Sequence, residues 1–459
     1  MRVSICSSIL SKNHHLNTQN RLKETKHLAF KELLPRDEII PLMKEDKHRE
    51  RIYTPDVTLW AFLSQAIEED KSQQAAVSRV IATAITNGEQ VPSTNTSAYS
   101  QARSNLSEES ISLLAQKTAQ DVVERLPKEW LWKQKQIKLV DGSTVSMSDT
   151  QSNQEAYPQS RSQKAGVGFP IARIVVIIDY ATGVLLNVAL GPCQGKATGE
   201  HALLRQLMPT LTSNDLLIGD RYYSSFFLMA SLIKRGISGV FPLHHTRQPD
   251  FKTGRILGKK DHIVSWKKPV AKPNWMTREE YDAFPDEISV REVAVEIKQP
   301  GFRTKTLILV TTLLDSFDVS KTALASLYSC RWFIELSLRA IKEVMRMDIL
   351  RGKTPSMVRK ELWVHLLAYN LIRKWMAQAA WCTGKAVSTL SFKLTLQLLR
   401  SFKLLGLQLD PTQRTQLAHT IASKTVANRP GRYEPRRIKR RPKPFSLLQM
   451  ARELYKNAA

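Results

Sequence analysis

Long apolar stretches are absent from this sequence of 459 residues. The strongest apolar run, residues 174–178, is far shorter than the roughly 18 residues that a membrane-spanning helix needs. The first residues are polar and lack the apolar core of a secretory signal. The sequence therefore predicts neither a membrane protein nor a secreted one, and we expect a cytoplasmic protein.

Cysteine is scarce as well, and acidic residues are few beside the basic ones. The four cysteines lie far apart and form no CxxC pair, which argues against a zinc site. The sequence contains 42 acidic residues and 68 Lys and Arg residues, which gives a formal charge of +26. An excess of this size indicates a polyanionic partner. Because no membrane segment is predicted, the favoured partner is nucleic acid.

Changes in the hydrophobic pattern divide the chain into six segments. Within the helical segment, Thr54 before Pro55 is typical of a helix start. A short polar helix predicted over residues 97–106 either enters a DNA groove or is an ordinary solvated helix. The segments are a disordered N-terminus (1–25), a helical domain (26–132), the first part of an α/β core (133–243), a β-rich insertion (244–320), the second part of the core with C-terminal helices (321–423) and a basic tail (424–459).

Two aspartates follow apolar strands in the predicted α/β core. Three strands, a helix, a strand, a helix and a further strand indicate a mixed sheet. Asp141 and Asp220 each come at the predicted end of a strand, where such sheets bind ligands. The alternative for Asp141 is an ordinary Asp-Gly turn. Asp179 is a third candidate, but the sequence around it is typical of a hairpin turn.

A helix near residue 335 carries charged residues along one face. At 3.6 residues per turn, this face holds Tyr328, Arg331, Glu335 and Lys342 within an arc of about 60°. An adjacent apolar arc is expected to pack on the sheet. Such a face suits an acid that binds metal beside cations that bind phosphate. The alternative is a solvated face with an ion pair between Arg331 and Glu335, four residues apart.

These residues together resemble a family signature. The pattern Tyr-(2)-Arg-(3)-Glu-(6)-Lys, met from Tyr328 to Lys342, resembles that of the DDE transposases of the bacterial insertion-sequence-four family. The segments DGSTV at Asp141 and IGDRYYS at Asp220 are similar to its two aspartate blocks. The similarity covers about residues 134–355. It implies a ribonuclease H-like mixed sheet with a β-rich insertion, preceded by an all-helical DNA-binding domain.

The resemblance also implies a chemistry. Asp141, Asp220 and Glu335 would hold two divalent cations, and their hard oxygen ligands suit Mg²⁺ or Mn²⁺. The protein would then cut and join double-stranded DNA at the ends of a mobile element and in its target. We expect a homodimer that works on the nucleoid of a bacterial cell. The alternatives are a nuclease with the same core and a catalytically inactive DNA-binding derivative.

The same resemblance assigns residues to DNA contact. Tyr328, Arg331 and Lys342 would grip phosphates of the element's end. Trp266 would stack on a flipped base, unless it is a core tryptophan of the insertion. Arg221 either touches phosphate or pairs with an acid. The basic tail is expected to lie on the phosphate backbone, because its prolines prevent a continuous helix.

Overall fold

The computed structural model describes residue 34 and residues 36–43, 52–195, 198–296, 306–405 and 409–426, with 403–405 described by their backbone alone. The predicted disordered N-terminus and residues 427–459 of the predicted basic tail lie outside the described residues.

The region before the core is helical, as the sequence predicted. Pro55 begins its second helix directly after Thr54. The Ser72 and Ser107 side chains each accept a hydrogen bond from a backbone N–H in the first turn of the helix that follows. Its helices are α1 (Arg36–Ile39), α2 (Pro55–Ile67), α3 (Gln73–Asn87), α4 (Ser97–Asn105) and α5 (Glu108–Val123).

A mixed sheet forms the centre of the molecule. Its first five strands lie in the order β3-β2-β1-β4-β5, with β2 antiparallel to β1 and β3, and β4 parallel to β1 and β5. This order and direction are those of a ribonuclease H-like core, so the predicted fold class is confirmed. The strands are β1 (Gln136–Met147), β2 (Ile171–Asp179), β3 (Leu185–Pro192), β4 (Asp215–Ile218) and β5 (Ser238–Pro242).

The β-rich insertion continues the same sheet. Its last strand, β9, pairs antiparallel with β5, and β8, β7 and β6 follow outwards in that order. Inside it, the fully buried Arg291 donates two hydrogen bonds, of 2.8 and 2.7 Å, to the Asp261 carboxylate. The insertion contains β6 (Arg255–Gly258), β7 (Asp261–Lys267), β8 (Glu287–Glu296), β9 (Thr306–Thr311) and, between β7 and β8, a short helix.

Helices cover the sheet and join it to the helical region. The longest one is largely buried and packs against α2 and α5. Within it, the Asn370 amide donates to the carbonyls of Ala115 and Leu185, which connects α5 with β3. None of the helices in the described part of the chain combines the length and the apolar character that a membrane crossing needs. These helices are α6 (Gln151–Ala156), α7 (Glu200–Leu207), α8 (Phe226–Lys234), α9 (Arg278–Asp282), α10 (Lys321–Ser329), α11 (Trp332–Arg339), α12 (Pro355–Thr383), α13 (Phe392–Leu405) and α14 (Pro411–Ser423).

Candidate active site

Asp141 lies in the middle of β1, whereas the sequence predicted a strand that ends there. The strand continues to Met147 because Gly142 does not turn and instead pairs with Val175 of β2. A side chain at Gly142 would displace the Glu200 carboxylate, since its Cβ would lie 2.3 Å from Cδ of Glu200. Gly142 thus leaves room for the Glu200 side chain beside the strand.

The second aspartate, Asp220, follows the strand β4, which is the neighbour of β1 in the sheet. In the parallel pairing of β1 with β4, Leu139 lies opposite Ile218. Asp141 and Asp220 each follow two residues later, so this register brings them near each other, and the charge of Asp220 acts on the Asp141 carboxyl. The Asp220 carboxylate accepts a hydrogen bond of 2.8 Å from the backbone N–H of Tyr222 and thereby caps a short 3₁₀ turn. As predicted, Asp220 follows the end of a buried strand.

The electrostatics of Asp141 reflect this crowding. Burial raises the pKa of its carboxyl to about 6, against the opposing hydrogen bond from the Gly142 N–H. The negative charges of Asp220 and Glu200 raise the pKa further, whereas the Arg331 guanidinium lowers it. A bound cation would relieve the repulsion within such a partly buried cluster of like charges.

The helix that carries Glu335 is not continuous, although the sequence predicted one helix. It ends at Ser329, resumes at Trp332, and changes to a π-helical turn over Ala340–Val344. The Arg331 guanidinium donates to the Glu335 carboxylate, which is the ion pair that the sequence left as an alternative. The predicted apolar arc is buried: Leu327, Ile334, Leu338, Ile341 and Met345.

The other residues of the signature reach the same region. The Lys342 ammonium donates a hydrogen bond of 2.9 Å to the hydroxyl of Ser143, two residues beyond Asp141. Tyr328 is 6% exposed, and burial raises the pKa of its hydroxyl to about 12. The charge of Arg331 opposes this shift, and that of Asp220 adds to it. The π-helical turn therefore brings Lys342 to the strand that carries the first aspartate.

A fourth carboxylate at this site was missed by the sequence analysis. Glu200 is the first residue of α7, and its side chain lies against the backbone of Gly142. Its carboxylate accepts a hydrogen bond of 3.2 Å from the Tyr223 hydroxyl. Burial raises the pKa of Glu200, and the charge of Asp220 raises it further. An acidic residue in the first turn of a helix is ordinarily explained by its favourable interaction with the helix dipole. The sequence alone therefore gave no signal that Glu200 is a site residue.

Comparison with known proteins identifies the family. The family described as "Transposase DDE domain" matches residues 132–371, which is more than half of the chain and includes all four carboxylates. The chain belongs to the DDE transposases. It is a DNA transposase of the insertion-sequence-four type, as its resemblance predicted.

Relatives agree with this assignment. The transposase is 29% identical to the Escherichia coli K12 transposase InsG of insertion element IS4 over 337 residues, 72% of each chain. It is 27% identical to the putative transposase InsZ of the same strain over 142 residues, 30% of this chain and 46% of InsZ.

Two solved transposase structures have a more distant similarity. A piggyBac synaptic complex with hairpin DNA is 13% identical, with a TM-score of 0.43 over 88% of this chain and 87% of that one. A pre-cleavage Mos1 transpososome, also 13% identical, has a TM-score of 0.17 over 42% and 60% of the two chains. These scores are too low to support an argument.

DDE transposases use divalent metal ions, and the side chains of this transposase supply suitable ligands. Asp141, Asp220, Glu200 and Glu335 offer only hard oxygen donors, which fit a hard divalent cation. Among the described residues, however, no three His, Cys, Asp or Glu side chains converge as a ready metal site. In this structure the Glu335 carboxylate is paired with the Arg331 guanidinium.

Trp266 lies in a packed interior. It is 3% exposed, and its indole N–H donates a hydrogen bond of 2.7 Å to the Glu292 carboxylate. The Arg247 guanidinium covers the ring, with Cζ 3.7 Å from the centre. These surroundings match the core tryptophan that the sequence left as an alternative to base stacking. Arg221, by contrast, is exposed directly after Asp220.

Proposed function

We propose that the transposase cleaves DNA at the ends of its element and joins those ends to a target, with Asp141, Asp220 and Glu335 as the metal-binding carboxylates. The observation that supports this most is the parallel register of β1 and β4, which brings Asp141 and Asp220 near each other. Two Mg²⁺ or Mn²⁺ ions, when bound, activate a water or 3′-hydroxyl and stabilise the leaving oxygen.

The carboxylates and their neighbours prepare this site. Asp141 and Asp220 concentrate negative charge in a partly buried position, and this charge favours the binding of a divalent cation there. Glu335 completes the set when it leaves Arg331. The guanidinium of Arg331 is then available to a phosphate of the DNA, for which its planar fork of donors is suited.

Cations on both sides of the carboxylates support binding of the DNA backbone. Lys342 reaches β1 beside Asp141, and the exposed Arg221 follows Asp220. The charges of Arg331 and Asp220 both act on the hydroxyl of Tyr328, which would donate to a phosphate oxygen of bound DNA. These contacts fix the position of the DNA without reading its sequence.

We infer further that the active form is a homodimer on double-stranded DNA. Joining an element to its target requires both ends to be held at once, and one carboxylate site serves one end. The transposase would find these ends on the bacterial nucleoid, because its substrate is chromosomal DNA.

The test uses duplexes that carry the inverted repeats flanking the gene, a plasmid target and Mg²⁺. Asp141→Asn, Asp220→Asn and Glu335→Gln should each abolish cleavage while DNA affinity in a gel-shift assay stays near that of the wild type. Glu343→Gln is the matched control, because Glu343 is an exposed acid that follows α11 and pairs with Arg339. Its cleavage should be unchanged.

Two results would contradict the proposal. Loss of DNA binding together with cleavage in Glu335→Gln would make Glu335 a structural residue. Cleavage by the wild type without any product joined to the plasmid would leave a nuclease instead of a joining enzyme.

A further inference from the structure

An exposed aromatic side chain stands directly beside the second aspartate. Tyr222 is 46% exposed, between the exposed Arg221 and the buried Tyr223. Its backbone N–H donates a hydrogen bond of 2.8 Å to the Asp220 carboxylate, so the tyrosine is held close to this aspartate. Part of this ring is therefore free to contact a ligand at the site.

The ring of Tyr222 is supported from behind. The His201 ring packs on it, with 4.8 Å between ring centres and 37° between planes. His201 Nε2 also lies 2.6 Å from the backbone carbonyl of Tyr222, which fixes the imidazole below the tyrosine. The fully buried Tyr223 contacts both rings edge-on, at 5.7 and 6.0 Å. Tyr222 is therefore held in place before any ligand arrives.

The surroundings of Tyr222 suit a nucleic acid. Arg221, its neighbour in the chain, is exposed and can meet a phosphate. An aromatic face beside a cation is the combination that binds single bases without preference for their sequence. Trp266, which the sequence suggested for stacking, is buried beneath Arg247 and offers no comparable face.

We propose that Tyr222 is the stacking platform for a nucleobase of the strand whose phosphate is cleaved at Asp220. This inference rests on the proposed function, since it requires the scissile phosphate to lie at the carboxylates. His201 and Tyr223 act as positioning residues, because they hold the tyrosine ring without touching the DNA. Stacking on a fixed ring orders the base next to the reacting phosphate and so sets the phosphate's position.

The experiment uses duplexes of the flanking inverted repeat with 2-aminopurine at single positions next to the cleaved phosphate. The full-length transposase is added without divalent metal, and fluorescence and affinity are recorded. We expect the wild type and Tyr222→Phe to quench the probe at one position. Tyr222→Ala should lose this quenching and bind roughly 5- to 150-fold more weakly, the effect of one stacked base.

Two other exposed aromatic residues serve as controls. Phe317 is 99% exposed and next to Asp318, which pairs with Lys133 ahead of β1, at the end of the strand away from Asp220. Phe317→Ala should change neither signal. Trp332, 47% exposed beside Arg331, is the competing platform, and Trp332→Ala should keep the quenching. Thermal melts of all variants establish that they fold.

The outcomes separate this proposal from the proposed function. Quenching that survives in Tyr222→Ala, or disappears in Trp332→Ala alone, overturns the role of Tyr222, while Mg²⁺-dependent cleavage by the wild type leaves the function standing. Equal losses in Tyr222→Phe and Tyr222→Ala would assign the effect to the hydroxyl and also overturn stacking. A wild type that binds no end DNA overturns both proposals.

Discussion

Glu200 shows how one residue can belong to a site without any sequence signal. Its carboxylate is brought near Asp141 and Asp220 because α7 packs on β2 and β3 and the Glu200 side chain lies against Gly142, which has no side chain of its own. This contact joins parts of the chain that are about 60 residues apart. A pattern confined to one segment cannot reveal it.

Glu200→Gln should weaken the binding of Mg²⁺ roughly tenfold or more, as is common for residues that support a metal site. The amide keeps the size of the side chain and can still accept the bond from Tyr223, so only the charge is lost. Isothermal titration of the protein with Mg²⁺ measures the effect without requiring activity. An unchanged affinity would limit Glu200 to packing.

Trp266→Ala tests whether this side chain is core or DNA contact. We expect a loss of about 3–5 kcal/mol in the free energy of unfolding, because a large buried ring leaves a cavity and Glu292 loses its hydrogen bond. Nicking and double-strand cleavage should then slow together. A time course with both products, taken beside a thermal melt, gives the answer. Slow second-strand cleavage at an unchanged melting temperature would restore the base-stacking hypothesis.

At the level of elements, the sequence predicted which segments are helices and strands better than where they end. The strand through Asp141 was predicted to stop at the Asp-Gly pair, which is ordinarily a turn signal, and it continues because β2 pairs with it on that side. The breaks around Arg331 and at Ala340–Val344 were also unpredicted. The helical spacing of apolar residues predicts which side chains of α11 are buried. It does not predict a break in the helix or a turn that contains one extra residue.

The π-helical turn is anchored to the helical N-terminal region. Lys71, in the loop between α2 and α3, donates to the backbone carbonyl of Met345 at the end of this turn. Its ammonium also lies 3.0 Å from Nε2 of His365 in α12. Burial lowers the pKa of Lys71 to about 8, against the attraction of the Glu361 carboxylate. The helix that carries Lys342 is thus connected to the region in front of the core.

This buried ammonium should make stability depend on pH. Unfolded Lys71 keeps its proton up to its ordinary pKa of 10.5, whereas the folded residue releases it near 8. Between these values the unfolded state binds more protons, so stability rises with pH, by about 3 kcal/mol in total. Lys71→Met lacks this contribution. Denaturant unfolding of both proteins from pH 7 to 10.5 measures the difference, and parallel curves would refute it.

At the level of the whole molecule, the charge of +26 and the basic tail favour the DNA backbone. Removing residues 429–444, outside the described residues, deletes eight Lys or Arg residues and one acid. The salt dependence of DNA binding should then fall by up to about 0.9 for each phosphate that the tail no longer neutralises, while base specificity barely changes. Affinities measured over a range of salt concentrations give this slope. An unchanged slope would assign the tail to another task.

The continuity of the sheet from β5 into β9 has a consequence for solubility. β5 is entirely buried, and its Val240 and Phe241 pair with β9. A shortened transposase without residues 244–320 would expose this apolar strand as an open edge, which is a template for association with other chains. We expect it to aggregate in light scattering where the full chain stays dispersed. In the full chain the sheet ends on that side at β6, a short strand with mostly exposed side chains followed by Lys259 and Lys260, which discourages such pairing. A dispersed shortened protein would show that some other segment covers β5.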